Sequence, residues 1–274
     1  MDAFAMLQQA LPKHALSRAL GALAASERPA VAQPFIRAFA AAYRIDLGEA
    51  ERTSFSDYRS FNDFFTRALR ANARPLPSDP DAIICPADGT VSQAGTLVDG
   101  QLLQAKGQQY PLDRLLGRAA PRYAGGDFAT IYLAPSNYHR VHLPIAGELQ
   151  RTTALPGALF SVNARTEAHV RELFCRNERL VCEFETASGG LVVVLVGALI
   201  VASIETVWGG PRSPYRQRED QSWSLTLPRG AEIGRFLLGS TVIVCTEPGR
   251  MRLDPALTAG RVVRMGEAIG RVQP

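Results

Sequence analysis

Gly234-Arg235-Phe236-Leu237-Leu238-Gly239-Ser240-Thr241-Val242-Ile243-Val244 is an apolar run interrupted at a Gly-Ser-Thr step. It reads as a buried strand broken by a glycine. With no Cβ, glycine lets the backbone kink or lets another group approach its carbonyl closely. The hydroxyl of Ser240 follows that carbonyl directly. Two readings stand here: a β-bulge in a core strand, or a serine placed to attack the peptide bond before it. The choice depends on what the rest of the chain can bring to that hydroxyl.

Around this stretch, from residue 82 onward, the chain reads as short β-rich runs separated by glycine. Residues 82–85 run into Pro86-Ala87-Asp88-Gly89, and residues 128–133 into an irregular loop that ends at Pro144. Runs at 180–186 and 191–204 flank Ser188-Gly189-Gly190, a hairpin signal. Residues 167–176 read as one helix, and 211–220, with Pro211 and Pro214, as a surface loop. Long helices do not alternate with strands, so a doubly wound parallel sheet is disfavoured. The spacing predicts a mainly antiparallel β-rich domain over residues 76–274.

Residues 1–75 read as helical. Phe4, Leu7, Leu11, Leu16, Leu20 and Leu23 recur at helical spacing with Lys13, His14 and Arg18 among them, a pattern that suits packing or a membrane interface. A second helix is expected over Phe35, Ile36, Phe39 and Tyr43. A third starts at a capping box of Ser60 and Asp63, with Phe61, Phe64, Phe65 and Leu69 on the face expected to dock on the following domain. Pro75, Pro77 and Pro80 form a linker. The fold class is α+β.

The net charge of +4 mildly favours anionic partners such as a membrane surface, and no basic run with interleaved aromatics points to nucleic acid. Lysine occurs only at Lys13 and Lys106, which leaves a pyridoxal enzyme one candidate Schiff-base lysine outside the N-terminal segment. Cys85, Cys175, Cys182 and Cys245 have no zinc-type spacing, so no metal site is expected. No signal peptide is legible, and the run at 191–204 is too short to span a bilayer. A reducing cytoplasmic setting is expected.

Three points carry chemistry. Asp88 follows an apolar run, although Asp-Gly is also a common turn pair. His139 and His142 share one short loop bracketed by Pro135 and Pro144; a histidine bonded to backbone is the bland alternative. Ser240 follows Gly239. Aspartate, histidine and serine in this order could form a hydrogen-bonded triad. Ser240 is not on a Gly-x-Ser-x-Gly elbow, because a strand follows it. Its best-placed target is its own preceding carbonyl, which suggests self-processing.

The series Phe61-Asn62-Asp63-Phe64-Phe65-Thr66-Arg67, Pro86-Ala87-Asp88-Gly89, Tyr138-His139-Arg140-Val141-His142-Leu143-Pro144, Leu159-Phe160-Ser161-Val162-Asn163, Asn177-Glu178-Arg179, Val196-Gly197-Ala198 and Leu238-Gly239-Ser240-Thr241 resembles the bacterial membrane-associated phosphatidylserine decarboxylases, pyruvoyl enzymes of the prokaryotic type I group. Residues 209–220 and the C-terminal tail match no motif of that series.

The resemblance implies that Ser240 attacks the Gly239 carbonyl to form an ester. Elimination gives dehydroalanine, and its hydrolysis releases ammonia and leaves a pyruvoyl cofactor on an α chain of residues 240–274, separated from a β chain of residues 1–239. Asp88 and His142 match the pair that activates the serine. The pyruvoyl ketone would form an imine with the serine head group of phosphatidylserine, and His139 or His142 would protonate the carbon that loses CO2, with His139 favoured for this step and His142 for cleavage. The resemblance also implies peripheral association of the N-terminal helices with the cytoplasmic side of the cell membrane, and it is compatible with a homodimer. The rivals are a serine hydrolase using Asp88, His142 and Ser240 on an external bond, and a non-enzymatic β-barrel module.

Overall fold

The computed structural model describes residues 20–198, 204–210, 213–237 and 240–273, with only the backbone of Ser240. The amphipathic stretch expected from Phe4 therefore lies outside the described residues up to position 19. Helix α1 (Pro29–Tyr43) starts on a proline, where no backbone N–H is missed, and ends on Arg44 in the left-handed conformation. Helix α2 (Phe61–Phe65) is a single turn capped by Ser60, whose hydroxyl accepts from the Asp63 N–H at 3.1 Å. The reciprocal half of the expected capping box is replaced: the Asp63 carboxylate takes Arg52 and the Arg59 N–H instead.

The phenylalanines of α2 mainly build a core of their own rather than docking on the next domain. Phe61 stacks on Phe35 at 4.2 Å between ring centroids, and Phe64 meets Phe39, Phe55 and Tyr58 edge-on. Leu69, expected on the same face, lies beyond the helix in a bridge to Ala50. Since Phe64 is fully buried, Phe64→Ala is expected to cost about 3–5 kcal/mol. A urea titration followed by tyrosine and tryptophan fluorescence would read it as a lower midpoint; a loss below about 1 kcal/mol would mean that these rings are not a packed core.

The rest of the chain is β-rich. Its elements begin with β1 (Ala82–Ile84), β2 (Gly89–Thr96), β3 (Gln101–Gln104), β4 (Gln108–Pro111), helix α3 (Leu112–Leu116), β5 (Asp127–Leu133), β6 (Arg140–His142) and β7 (Gly147–Leu155). Two short helices follow, α4 (Ala164–Glu167) and α5 (Leu173–Arg176), where one was expected; Glu172, in the left-handed region at φ 52°, breaks the run. Then come β8 (Arg179–Thr186), β9 (Gly189–Gly197), β10 (Ile204–Thr206), β11 (Glu219–Leu227), β12 (Glu232–Phe236), β13 (Ser240–Thr246), β14 (Met251–Leu253), β15 (Val262–Val263) and β16 (Ala268–Val272). Named strands pair antiparallel throughout. The fold is α+β.

An eight-stranded sheet in the order β11-β7-β8-β9-β13-β5-β2-β15 forms the centre. Both faces of its middle are buried. Val192, Val194 and Val196 of β9 enter one apolar cluster with Ile243 of β13, while Leu191, Val193 and Leu195 enter another with Val242 and Val244. Burial on both faces turns the usual alternation into the continuous apolar run of 191–197. The first cluster is closed by Leu102, Tyr110, Leu115 and Phe174, the second by Val141, Ile204, Ile233 and Phe236.

The stretch from Gly234 to Val244 is not one kinked strand. Its first half is β12, in a three-stranded sheet with β10 and β6; its second half is β13, in the middle of the large sheet. The chain leaves the small sheet after Phe236, and Ser240 opens a strand of the large sheet opposite Leu133 and Gly197. Gly234 is required by close approach, since a Cβ there would lie 2.6 Å from the Glu205 carbonyl oxygen.

The proline linker is pinned, with the Arg229 guanidinium donating to the carbonyls of Pro77, Asp79 and Ala82. The loop expected to reach residue 220 gives way to β11 at Glu219, and its described part is anchored: buried Glu178 accepts from Ser213 Oγ and, at 2.8 Å, from the Tyr215 N–H. Among the described residues no helix is long and apolar enough to cross a membrane.

Candidate active site

Asp88 sits at the turn from β1 into β2. Gly89, after it, is no free turn residue, because a Cβ there would meet the Tyr132 carbonyl oxygen at 2.4 Å. The His142 N–H donates to the Pro86 carbonyl at 2.8 Å, which lays β6 along the segment leading to Asp88. On its other side β6 pairs with β12, so that Glu232 faces His142 and Arg235 faces Arg140. The Phe236 N–H then donates to the His139 carbonyl at 3.0 Å.

The loop carrying His139 starts at Ala134, one residue beyond Leu133, the strand partner of Ser240. His139 Nε2 lies 3.0 Å from the Ala134 carbonyl oxygen. Asp88, His139, His142 and the backbone of Ser240 are thus gathered where the small sheet hands the chain to the large one. Gly239 lies outside the described residues.

The carbonyl partners fix the tautomers. A carbonyl only accepts, so His139 carries its proton on Nε2, leaving a lone pair on Nδ1. That nitrogen is buried and has no hydrogen-bond partner. The ring stacks on Phe65 at 4.0 Å, which is where α2 touches the β body. Burial, with the nearby Arg67 charge second, pushes its pKa down to about 3, so the imidazole is neutral. His142 has the opposite tautomer. Its Nδ1–H donates to the Gly230 carbonyl at 2.8 Å, and its Nε2 accepts from the Tyr138 hydroxyl at 3.0 Å. Burial holds it too below the ordinary value, while the Glu232 and Asp88 charges pull the other way.

The direct Asp88–His142 hydrogen bond of a triad is not formed. The Asp88 carboxylate is held by the Arg74 guanidinium fork, at 3.2 Å from Nε and 2.6 Å from Nη2, and by the Met265 N–H at 2.8 Å. Burial works against the Arg74 charge, but its bonds to Asp88 and Glu49 raise its pKa overall. Asp88 therefore acts on His142 through space, as a fixed negative charge.

Residues 61–271 match the family model described as phosphatidylserine decarboxylase, and residues 3–44 the one described as PSD. A phosphatidylserine decarboxylase proenzyme of Ectopseudomonas mendocina is 48% identical, over 98% of each chain. Those of Azotobacter vinelandii, 49% identical over 98% of this chain and 97% of its own, and of Methylococcus capsulatus, 47% identical over 97% and 96%, are similar to it as well. The chain belongs to the phosphatidylserine decarboxylase family.

Membership explains why the remaining motifs of the decarboxylase series sit where they do. Asn177 Nδ2 donates to the carbonyls of Phe160 and Gly197 at 2.8 and 2.9 Å, and its Oδ1 accepts from the Phe160 N–H. The Gly197 N–H donates to the Glu178 carbonyl at 2.9 Å. Gly197 is the strand partner of Ser240, so the segments 159–163, 177–179 and 196–198 form one frame behind the serine. Buried Arg179 ties that frame to α3 through the carbonyls of Arg114 and Leu115.

Sequence reasoning gave no role to Tyr138, Arg74 or Arg67. Tyr138 stands inside a quoted motif, and its position next to His139 was its one signal. Arg74 carries none, being one of many arginines beside a proline linker; only burial and the fork on Asp88 single it out.

Proposed function

We propose that this decarboxylase-family chain is a proenzyme that cleaves itself between Gly239 and Ser240 and then converts phosphatidylserine to phosphatidylethanolamine and CO2. The observation that carries the reading is family membership over nearly the whole chain, with Ser240 at the head of a central strand. The relatives are named proenzymes, which favours self-processing over the hydrolase alternative.

In cleavage, His142 is the base. Its Nδ1–H bond to Gly230 leaves Nε2 to accept the Ser240 proton once the Tyr138 hydroxyl turns aside, and the Asp88 charge favours the imidazolium so formed. In decarboxylation, His139 passes on the proton that replaces CO2 on the carbon: its free Nδ1 takes one from solvent before the lipid seats and gives it up there. Its buried position, stacked on Phe65, excludes water from that step.

The residues present fit a pyruvoyl group made from Ser240. Lys106, the one described lysine, is exposed and at 3.5 Å from His169, away from Asp88 and both site histidines, so it offers no imine there. The unpartnered Nδ1 of His139 is a polar atom waiting for a neighbour beside the Ser240 strand. When present, the ketone supplies the electron sink that an amino-acid decarboxylation needs. The N-terminal helices seat the enzyme on the cytoplasmic face of the membrane, where the net positive charge favours anionic lipid.

Residues 240–274 are woven into the body: β13 lies between β9 and β5, β15 on β2, and β16 on β1. The two cleavage products are expected to travel as one particle by native mass spectrometry and as two chains under denaturing conditions, the smaller without a free amino terminus. A single intact chain after prolonged incubation, with Ser240 unmodified, would reject the proposal.

A further inference from the structure

We propose that the cleft between the N-terminal helices and the β body seats the phosphodiester of the lipid head group, with Arg67 as its anchor. The inference rests on the decarboxylase reading above and adds a binding site to it. The cleft has a volume of about 250 Å3 and is lined by Arg44, Arg67, Arg74, Asp88, Tyr138 and Arg264, among others. It thus opens beside two groups of the candidate active site.

Its charges are unevenly matched. Glu49 is paired with Arg74 and Arg264, and Asp88 with Arg74. Asp46 turns onto the Gly48 N–H at 2.8 Å. Arg67, only 5% exposed, has no carboxylate partner among the described residues. Its Nη2 donates to the backbone carbonyls of Ser136 and Asn137, and its buried Nη1 has no hydrogen-bond partner. A guanidinium taken out of water without a counter-ion is costly, so the arrangement implies an anion that arrives from outside. Arg44 stands at the same cleft, exposed.

The chemistry of the anion follows from the reaction. Phosphatidylserine carries a phosphodiester and a carboxylate, and a guanidinium fork suits either. Clamping the carboxylate would stabilise the reactant against leaving as neutral CO2, which opposes catalysis. Holding the phosphodiester instead fixes the head group without touching the bond that breaks. The carbonyls that Arg67 grips belong to the loop bearing His139, and Phe65, two residues earlier, stacks on that ring. A phosphate bound there places the serine moiety next to the candidate proton donor.

The test compares two substrates in detergent micelles: short-chain phosphatidylserine, and an O-acylated serine that keeps the amine and carboxylate but lacks phosphate. Arg67→Gln is expected to lower kcat/KM for the phospholipid roughly 10- to 100-fold, mainly through KM, as loss of a charge-assisted bond should. Turnover of the phosphate-free serine should fall several-fold less, by the share that the Arg67 bonds to the His139 loop and its charge on that ring contribute, and Arg67→Lys should recover part of the larger loss. If Arg67→Gln fails to mature, Arg67→Lys alone carries the comparison, with a smaller loss that falls mainly on the phospholipid. Equal losses on both substrates would overturn the phosphate role while leaving the decarboxylase reading intact. A self-cleaved wild type that decarboxylates neither substrate would overturn both.

Discussion

Ser240→Ala is expected to run as one full-length chain on a denaturing gel and to release no CO2 from phosphatidylserine. The two losses have a single origin, because the hydroxyl that opens the Gly239–Ser240 bond also becomes the ketone. An external cofactor could not rescue the variant, since Lys106 is exposed on the β3–β4 side of the fold, next to His169. The fold itself should survive. Ser240 takes its place in the sheet through backbone pairing with Leu133 and Gly197, and alanine keeps that backbone. Removal of one hydroxyl at a strand end is worth about 1 kcal/mol. Intact mass, CO2 release and a urea midpoint measured together separate the chemistry from the packing. Residual decarboxylation by the uncleaved variant would refute the pyruvoyl assignment; a collapsed midpoint would mean that Ser240 is structural.

How far the sequence could reach is visible in this same segment. Its apolar flanks read as one strand broken by a glycine, since strand character is legible from a run of apolar and β-branched residues. That its two halves belong to different sheets was not legible. Sheet membership is decided by partners far away in the chain: β12 pairs with β6 and β13 with β5 and β9. Local residues carry no trace of such partners. The same limit explains Asp88. Its place after an apolar run drew attention to it, but its hydrogen bonds come from Arg74 and from Met265, 177 positions later. A triad read from residue order therefore supplied a direct Asp–His bond where the fold supplies a through-space charge. The helix expected over 167–176 broke because Glu172 adopts a left-handed conformation, which propensity disfavours for a non-glycine residue. Motif residues fared better. Phe65, Asn177 and Gly197 stand in the motif series, and each touches or frames the site: Phe65 stacks on His139, Asn177 bonds the Gly197 carbonyl, and Gly197 pairs with Ser240.

The two histidines should fail differently. His142→Ala is expected to leave most of the chain uncleaved, with maturation slowed on the order of 10²–10⁴-fold, the usual worth of a positioned base. His139→Ala should mature yet turn over phosphatidylserine slower by a similar factor. The reason lies in their surroundings. His142 has its tautomer set by Gly230, and the Glu232 and Asp88 charges offset part of the burial and of the Arg140 charge that disfavour its cation, so its basic nitrogen is oriented and still able to take a proton. At His139 burial and the Arg67 charge both disfavour the cation, so a proton placed on it is readily given up. The pH dependence of maturation tests the first assignment independently. A base must be neutral to act, and burial holds the His142 pKa below the ordinary 6.5. Cleavage should therefore keep more than half its full rate at pH 6.5 and fall to half only in more acid solution, as His142 takes up a proton. Asp88→Asn removes the charge that supports the imidazolium, so it should lower the plateau rate and move the decline further to acid. A decline centred above pH 7, or a His142→Ala variant that matures at the normal rate, would transfer the role of base to another group, and His139, with its free Nδ1, would be the first to test.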